Sequence, residues 1–531
     1  MTSSALRSAA VSALCCAVLA AATTVHAAAE PGRTWYVSAA AVPGGNGTEA
    51  TPFNTLAAVQ QASDAGDTII VLAAPAPLDG GIALKSGQHL VGRGGTLTNT
   101  TAANDGDAVR LAPDTEVRDL IVAGAQRGGI YGRNIGGVVL AGNTVTGANR
   151  ACHDGFIVQP FPPMLGVPFG MSLPVAPNLV ALNNGWAAIM IDSDSGSSSL
   201  TLERNTVRDT ACGDGIDVRT SGTAQVTATL IDNLAENVNE GLAKLSVLAM
   251  GLQSTGTSAL TATLHGNTQR NIAVPEADPS NAVADSEGIF VNAAGRARMR
   301  IAIDHNTYAH GGGHFSANGL EFVTSNGTPD SEVILTNSEF RDVPGDIVQN
   351  LNLSAEGARH AMTIDGLTAA GSNFPGAALN PLVPGNLGTC LFSASFGRDD
   401  HTALTLRNAH LEHCSADGIG VYAYSPNGGN PATHEMSFAI SDTTLSDTAV
   451  ADLHVRTVGD LTLTGSIERS TFPGEITLAQ SDGTLTPPSI LDFGGGRLGS
   501  AGQNCLSPNA TSTLTTPQLP LQPPTPSPPC A

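Results

Sequence analysis

Short stretches in which apolar and polar residues alternate return along the whole chain, and several of them end at an asparagine. "VVLAGNTV" at 138, "LTLERNTV" at 200, "LTATLHGNT" at 260, "IAIDHNTY" at 301, "VILTNSEF" at 333 and "LTLRNAHL" at 404 each read as a half-buried strand running into a turn. Asn143, Asn205 and Asn267 are spaced by 62 and 62 residues. A second phrase sits between these: "DGFIV" at 154, "DGIDV" at 214, "EGIFV" at 287, "NGLEFV" at 318, "GDIV" at 345 and "DGIGV" at 417. Gly215 to Gly241 in "EGLAKL" is 26 residues, Gly288 to Gly319 is 31 and Gly319 to Gly345 is 26. Two strand types in a fixed order, with no long helical pattern between them, predict stacked coils rather than βαβ units. The spacing fits one coil of a parallel β-helix, an all-β solenoid.

The start of the chain reads differently. Arg7, an apolar run from Ala9 to Ala22 and the small residues of "TTVHAAAE" predict a secretory signal, residues 1–27, cut after Ala27. "SALCC" lacks the small residue that a lipoprotein signal places before its cysteine, so lipidation is not expected. No later apolar stretch approaches the ~20 residues of a membrane span. The mature chain is therefore expected outside the cytoplasm: extracellular, periplasmic or at the cell surface. There Cys152, Cys212, Cys390, Cys414, Cys505 and Cys530 favour disulfides over metal binding. The formal net charge is −22, with lysine only at Lys85 and Lys244. Such a surface repels nucleic acid and anionic lipid, and also acidic polysaccharide unless a cation such as Ca²⁺ bridges the two. Several domains would be usual for 531 residues. A solenoid instead carries that length on one core, and the chain is expected to be a monomer.

"TWYVSAAAVPGGNGTEATPFNTLAAVQQASDAGDTIIVL", residues 34–72, resembles the N-terminal segment of right-handed parallel β-helix proteins of the pectate-lyase-like superfamily (pectin-lyase fold), of the secreted bacterial kind. Its parts make sense as a cap over the open end of the core. Asn54 or Thr55 begins a helix, Leu56, Val59 and Ala62 form its apolar stripe, Gly66 ends it, and "DTIIVL" is the first buried strand. "LDFGGGRLGSAGQNCL", 491–506, resembles a segment that closes such proteins. The resemblance thus covers residues 34–506. It predicts a cap over 28–72, the β-helix over 73–506, and an extended Pro- and Thr-rich tail over 507–531, with Cys530 tied back to Cys505.

Alternation along a strand sets the candidate site. With Ile216 and Val218 inward, Asp217 and Arg219 point out. The same register turns Met190, Asp192, Phe290, Asn292, Glu321, Tyr422, His454 and Arg456 outward. Coils stack ~4.8 Å apart, so Asp192, Asp217 and Arg219 should be neighbours. The resemblance implies a sugar chain along such a ladder, with Asp192, Asp217, Arg219, Glu321 and Tyr422 as carbohydrate-binding candidates. Asp192, Asp217 and Arg219 are the catalytic candidates. A polysaccharide lyase would hold Ca²⁺ on Asp192 and Asp217 and use Arg219 as base; a glycoside hydrolase would use two carboxyl groups.

Motif comparison weakens the hydrolase reading. "GDGIDV" resembles part of the polygalacturonase pattern, but Ala211 and Cys212 stand where Asn and Thr belong, Phe315 follows Gly313 and His314, "RARMR" at 296 is not the basic triplet, and the only Asp-Asp pair is Asp399 and Asp400. Blander readings stand beside these. Asp154, Asp214, Asn318 and Asp417 precede Gly and serve as bends. Asn143, Asn205, Asn267, Asn306 and Asn408 form a stacked turn ladder. Asp217 with Arg219 is a solvated surface pair, and His153 is a turn residue. Cys390 with Cys414 is the natural disulfide. Cys152 with Cys212 is doubtful, because two coils at ~4.8 Å exceed the ~7 Å Cα limit. Three readings follow: a secreted β-helix protein whose outer face meets carbohydrate or a surface partner, a polysaccharide lyase or glycoside hydrolase acting on an acidic polysaccharide, and a structural or adhesive rod.

Overall fold

A computed structural model of the chain describes residues 32–158, 182–238, 247–272, 285–311, 316–354, 357–372, 388–396, 399–425, 434–481, 489–493 and 504–506, with 483, 485, 521 and 522. Three parallel sheets run its length, with 16, 13 and 13 strands among the described residues. Together they form a right-handed parallel β-helix. Sheet 1 carries the Asn-terminated phrases, such as Gln225–Ile231 and Ala259–His265. Sheet 2 holds the short strands that follow, such as Leu234–Glu236, and sheet 3 the strands Ile189–Ser193, Ile216–Thr220, Val247–Ser254, Asp285–Gly295, Ser316–Gly327 and Val348–Asn352.

Each coil turns from sheet 1 to sheet 2 through one left-handed residue. Asp119, Asp232, His305, Asn337, Asn408 and Asp442 hold this position with φ between 47° and 53°. Asn, Asp and His are the non-glycine residues that tolerate it best. The next residue points inward, which explains the asparagine. Asn143 Nδ2 donates to Asn205 Oδ1, Asn205 to Asn233 and Asn233 to Asn267, each at 2.9 Å. The second hydrogen of each amide reaches a strand carbonyl, Val117, Leu140, Leu202 and Leu230 in turn. A buried amide whose groups are paired costs little and fixes the register. Asn233 belongs to this ladder and Asn408 does not. Asn408 is the exposed left-handed residue itself, bonded to Asp365 Oδ1 at 2.7 Å, and Ala409 takes the inward place.

The disulfide geometry corrects one expectation. Cys152 and Cys212 are joined, with Cα atoms 5.2 Å apart, and so are Cys390 and Cys414, at 5.4 Å. Thr144–Thr146 pairs directly with Thr206–Arg208, so the 62 residues from Asn143 to Asn205 make one coil and not two. The extra length is an excursion: Asp154–Val158 pairs antiparallel with Leu182–Gly185 and is no rung of the solenoid. Cys505 is disulfide-bonded, and Cys530, its expected mate, lies outside the described residues.

At the N-terminal end the helix Leu56–Ala62 starts at Thr55, whose hydroxyl accepts from the Ala58 amide at 3.2 Å, and buries Leu56 and Val59. Ser63 caps it, and Gly66 follows at φ 78°. Thr34–Val37 pairs with Thr68–Val71, so the sheet begins one strand before "DTIIVL". One phrase is also out of register, and another lies outside the described residues. The rung after Ile216–Thr220 is Val247–Ser254, and "EGLAKL" lies outside the described residues. Gly319 aligns with Ile347 rather than Gly345. No helix among the described residues is long and apolar enough to cross a membrane.

Candidate functional site

Sheet 1 alternates buried and open side chains, whereas whole strands of sheet 3 are buried on both faces. The inward columns Ile189, Ile216, Met250, Ile289, Leu320 and Val348 fill the core. The outward columns hold polar and charged groups with little water around them. That burial distinguishes the face chemically.

At one end the structure brings Asp192, Asp217 and Arg219 together. Asp192 stacks on Arg219, and Met190 on Asp217. Arg133, one rung back, lies with Nε 3.8 Å from Asp192 Oδ2. Asp217 is 0% exposed and Arg219 half-buried, so they are not a solvated surface pair, and Asp192 beside them is 4% exposed. Burial pushes the Asp192 carboxyl up, against the pull of Arg219 and Arg133. Burial brings the Arg219 guanidinium down to about 10, with Asp217, Asp192 and Asp214 opposing it. Even so lowered, Arg219 is a cation at neutral pH, with Asp217 and Asp192 as nearby countercharges. Gly251 occupies the rung beyond Asp217, and a Cβ there would sit 2.3 Å from Asp217 Oδ1. Only glycine lets that carboxylate lie along the face.

Three rungs on, Glu321 has partners that the sequence reading missed. The Asn318 amide donates to Glu287 Oε1 at 3.2 Å and to Glu321 Oε2 at 3.1 Å. Its oxygen accepts the Asp346 amide at 3.1 Å, which fixes the amide's orientation. Glu287 and Glu321 also hydrogen-bond to each other, and burial, the largest cause, pushes Glu321 up. Two carboxyl groups in contact away from water favour one proton held between them over two charges. Asp346 sits on the next coil. Its Oδ1 accepts from the Gly388 and Thr389 amides at 3.0 and 2.7 Å, and Gln349 donates to its Oδ2 at 2.6 Å. Burial pushes Asp346 up to about 7 despite these bonds, and the Glu321 charge adds to the rise.

Tyr422 stands apart from Glu321. The Glu321 column continues through Gln349, Phe392 and Gly420, and Tyr422 lies in the neighbouring column. Its ring meets Phe392 edge-on at 5.1 Å, and its hydroxyl lies 3.3 Å from His454 Nδ1. His454 in turn lies 3.4 Å from Asp417 Oδ2. Phe290, Val323, Leu351, Phe392 and Tyr422 form one apolar cluster beside the carboxyl groups.

Asp214 and Asp417 do precede bends, but Asn318 lies inside the strand Ser316–Gly327 and Asp154 begins the strand Asp154–Val158; Asp214, Asn318 and Asp417 are all buried. Asp214 Oδ1 accepts the Leu248 amide at 2.8 Å across to the next coil. Glu287, Asn318 and Asp346 occupy the same place in three successive coils. That column carried the missed signal: it runs Asp214, Leu248, Glu287, Asn318, Asp346, Thr389 and Asp417, acidic or an amide in five of seven coils. His153 is exposed; its amide donates to Asn149 Oδ1 at 2.8 Å, as a turn residue would. Gly313 and His314 lie outside the described residues.

No protein-family model matches the sequence, and no curated protein matches it. Among solved structures, the catalytic domain of a GH87 alpha-1,3-glucanase in complex with tetrasaccharides is similar at 11% identity, covering 83% of this chain and 69% of that one, with a TM-score of 0.37. A GH136 lacto-N-biosidase from Eubacterium ramulus is similar at 11% identity over 81% of this chain and 67% of that one, with a TM-score of 0.20. Likeness at that level carries no argument about the site. The parallel β-helix rests on the strand pairing above; membership of the pectate-lyase-like superfamily is not established by it.

Proposed function

We propose that the protein is an exported enzyme that hydrolyses a neutral glycan on the outer face of sheet 3, with the Glu287–Glu321 pair as proton donor. The observation that carries this reading is the buried contact between the Glu287 and Glu321 carboxyl groups, which favours one proton held between them. Glycosidic cleavage needs a carboxyl group that is still protonated near neutral pH, and burial against a second carboxylate supplies one. Asp346, on the adjoining coil and also raised, is the second carboxyl group, placed to activate water once ionised. Phe290 and Phe392, both buried, pack in the apolar cluster beside the pair and help keep water from it. Asp192, Asp217 and Arg219 extend the same face by three rungs, ~14 Å at ~4.8 Å each, and would hold the chain further along.

The strands Val247–Ser254, Asp285–Gly295, Ser316–Gly327 and Val348–Asn352 contain no Lys or Arg, which favours a neutral sugar over a uronate. A lyase would need a base beside a cation, and Arg219 is protonated at neutral pH. Cys152–Cys212 and Cys390–Cys414 suit an oxidising compartment.

The test is a panel of neutral and acidic polysaccharides, assayed for reducing ends and for unsaturated product with and without Ca²⁺. New reducing ends from a neutral member, lost in Glu321→Gln, support the reading. Unsaturated product, or binding across the panel with no turnover, overturns it and leaves a lyase or a binding surface.

A further inference from the structure

At one corner of the solenoid the stacked turns between sheets 1 and 2 bring two imidazoles onto one carboxylate. His265 ends the strand Ala259–His265, and Asp304 is its register partner on the next coil. His305 follows Asp304 in the left-handed position, φ 53°, which swings its ring back over the carboxylate. Asp304 Oδ2 lies 3.1 Å from His265 Nδ1 and 2.8 Å from His305 Nδ1. The two rings are tilted by 57° with centroids 5.4 Å apart, so they converge on that oxygen rather than stack. The other oxygen is taken: Thr336 Oγ1 and Asn337 Nδ2, from the following coil, donate to Oδ1 at 2.7 and 2.9 Å. Oδ2 is therefore aimed at the imidazoles by groups outside the cluster.

We propose that His265, Asp304 and His305 bind a divalent transition-metal ion, Zn²⁺ foremost, at the surface. The three donor atoms lie within 4.8 Å of one another, and a tetrahedral ion with bonds of ~2.0–2.2 Å holds its donors about 3.3 Å apart, so binding needs only small side-chain rotations. Two imidazoles and one carboxylate select zinc, copper or nickel over Ca²⁺ and Mg²⁺, which take oxygen shells. The side chains are 50%, 33% and 59% exposed, so an ion enters from solvent and keeps a water at its fourth position. Thr336 and Asn337 hold the ligating carboxylate as outer-shell partners do. The ion would tie two successive coils together.

Tag-free mature protein, titrated with ZnCl₂ in a calorimeter, should take up one saturable equivalent, with a higher melting temperature in Zn²⁺ but not in Ca²⁺. Co²⁺ should give the intense visible bands of a low-symmetry site. His265→Ala and His305→Ala should each weaken binding by ~10-fold or more, and Thr336→Val, which keeps all three donors, by about 10-fold. His265 and His305 are exposed and Thr336 is half-buried, so metal-free melting temperatures within a few degrees of the parent exclude misfolding. Absence of saturable uptake, or uptake that both histidine variants retain, overturns the assignment.

Discussion

The outward columns of sheet 1 and sheet 3 arise from the same strand alternation and meet different surroundings. On sheet 1, Ser197, Ser199, Gln225 and Thr227 line an open groove of about 400 Å³. Their hydroxyl and amide groups can keep water as partner, and replacing one changes little. On sheet 3, Asp217 and Glu321 occupy outward positions and Glu287 and Asp346 lie beside Glu321, all at 0–8% exposure. There the charged form of a carboxyl group loses its hydration, protons are retained to higher pH, and neighbours must supply the missing interactions. A β-helix offers three outer faces of similar geometry; the one with excluded water can do acid–base chemistry.

The largest expected contrast is catalytic. Glu321→Gln removes the donor and should lower turnover of a neutral glycan by ~10²–10⁴-fold while the melting temperature holds, because Gln keeps hydrogen-bonding capacity toward Asn318 and Glu287. Any equivalent substitution on sheet 1 should leave turnover unchanged.

Stability comes next. Ile216→Ala opens a cavity in the core and should cost ~2–5 kcal/mol by denaturant unfolding. Asp217→Ala, were it a surface pair, would cost ~1 kcal/mol or less. Buried beside Arg219 it should cost ~3–5 kcal/mol, because the guanidinium loses a nearby countercharge.

A smaller effect is pH-linked. Burial raises Asp346 to about 7 and Asp400 to about 8, above the unfolded value near 3.8, so between those values the folded chain binds more protons than the unfolded one. Stability from these groups is present in full below the unfolded value and is lost as pH rises through about 7 to 8. Melting temperature should fall from pH 5 to pH 9, and Asp346→Asn with Asp400→Asn should flatten the decline.

The smallest effect belongs to sheet 1. Thr261→Ala, on its exposed face, should change stability by no more than ~0.5 kcal/mol.

The solenoid was legible because its signals are local. Alternation with period 2 marks strands, and a left-handed residue before an inward Asn marks the turn, as at Asp232 and Asn233. Asp192, Asp217 and Arg219 were placed as neighbours by the same alternation. What sequence alone did not reveal depends on which residues stack. The 62-residue interval hid a hairpin excursion, so Cys152 and Cys212 were put two coils apart instead of one. Glu287 belongs to "EGIFV" and Asp346 to "GDIV", yet their proximity to Glu321 follows from the Asn318 column and not from any contiguous motif. Burial was the other unknown, because strand alternation tells which face a side chain takes and not whether water reaches it.

The most direct test of the central claim is a crystal structure of Glu321→Gln soaked with a neutral oligosaccharide that the parent cleaves. The account predicts a sugar chain across the outer face of sheet 3, with a glycosidic oxygen within hydrogen-bond reach of the residue at 321. An oligosaccharide seated on the Ser and Thr face of sheet 1, with sheet 3 empty, would contradict it.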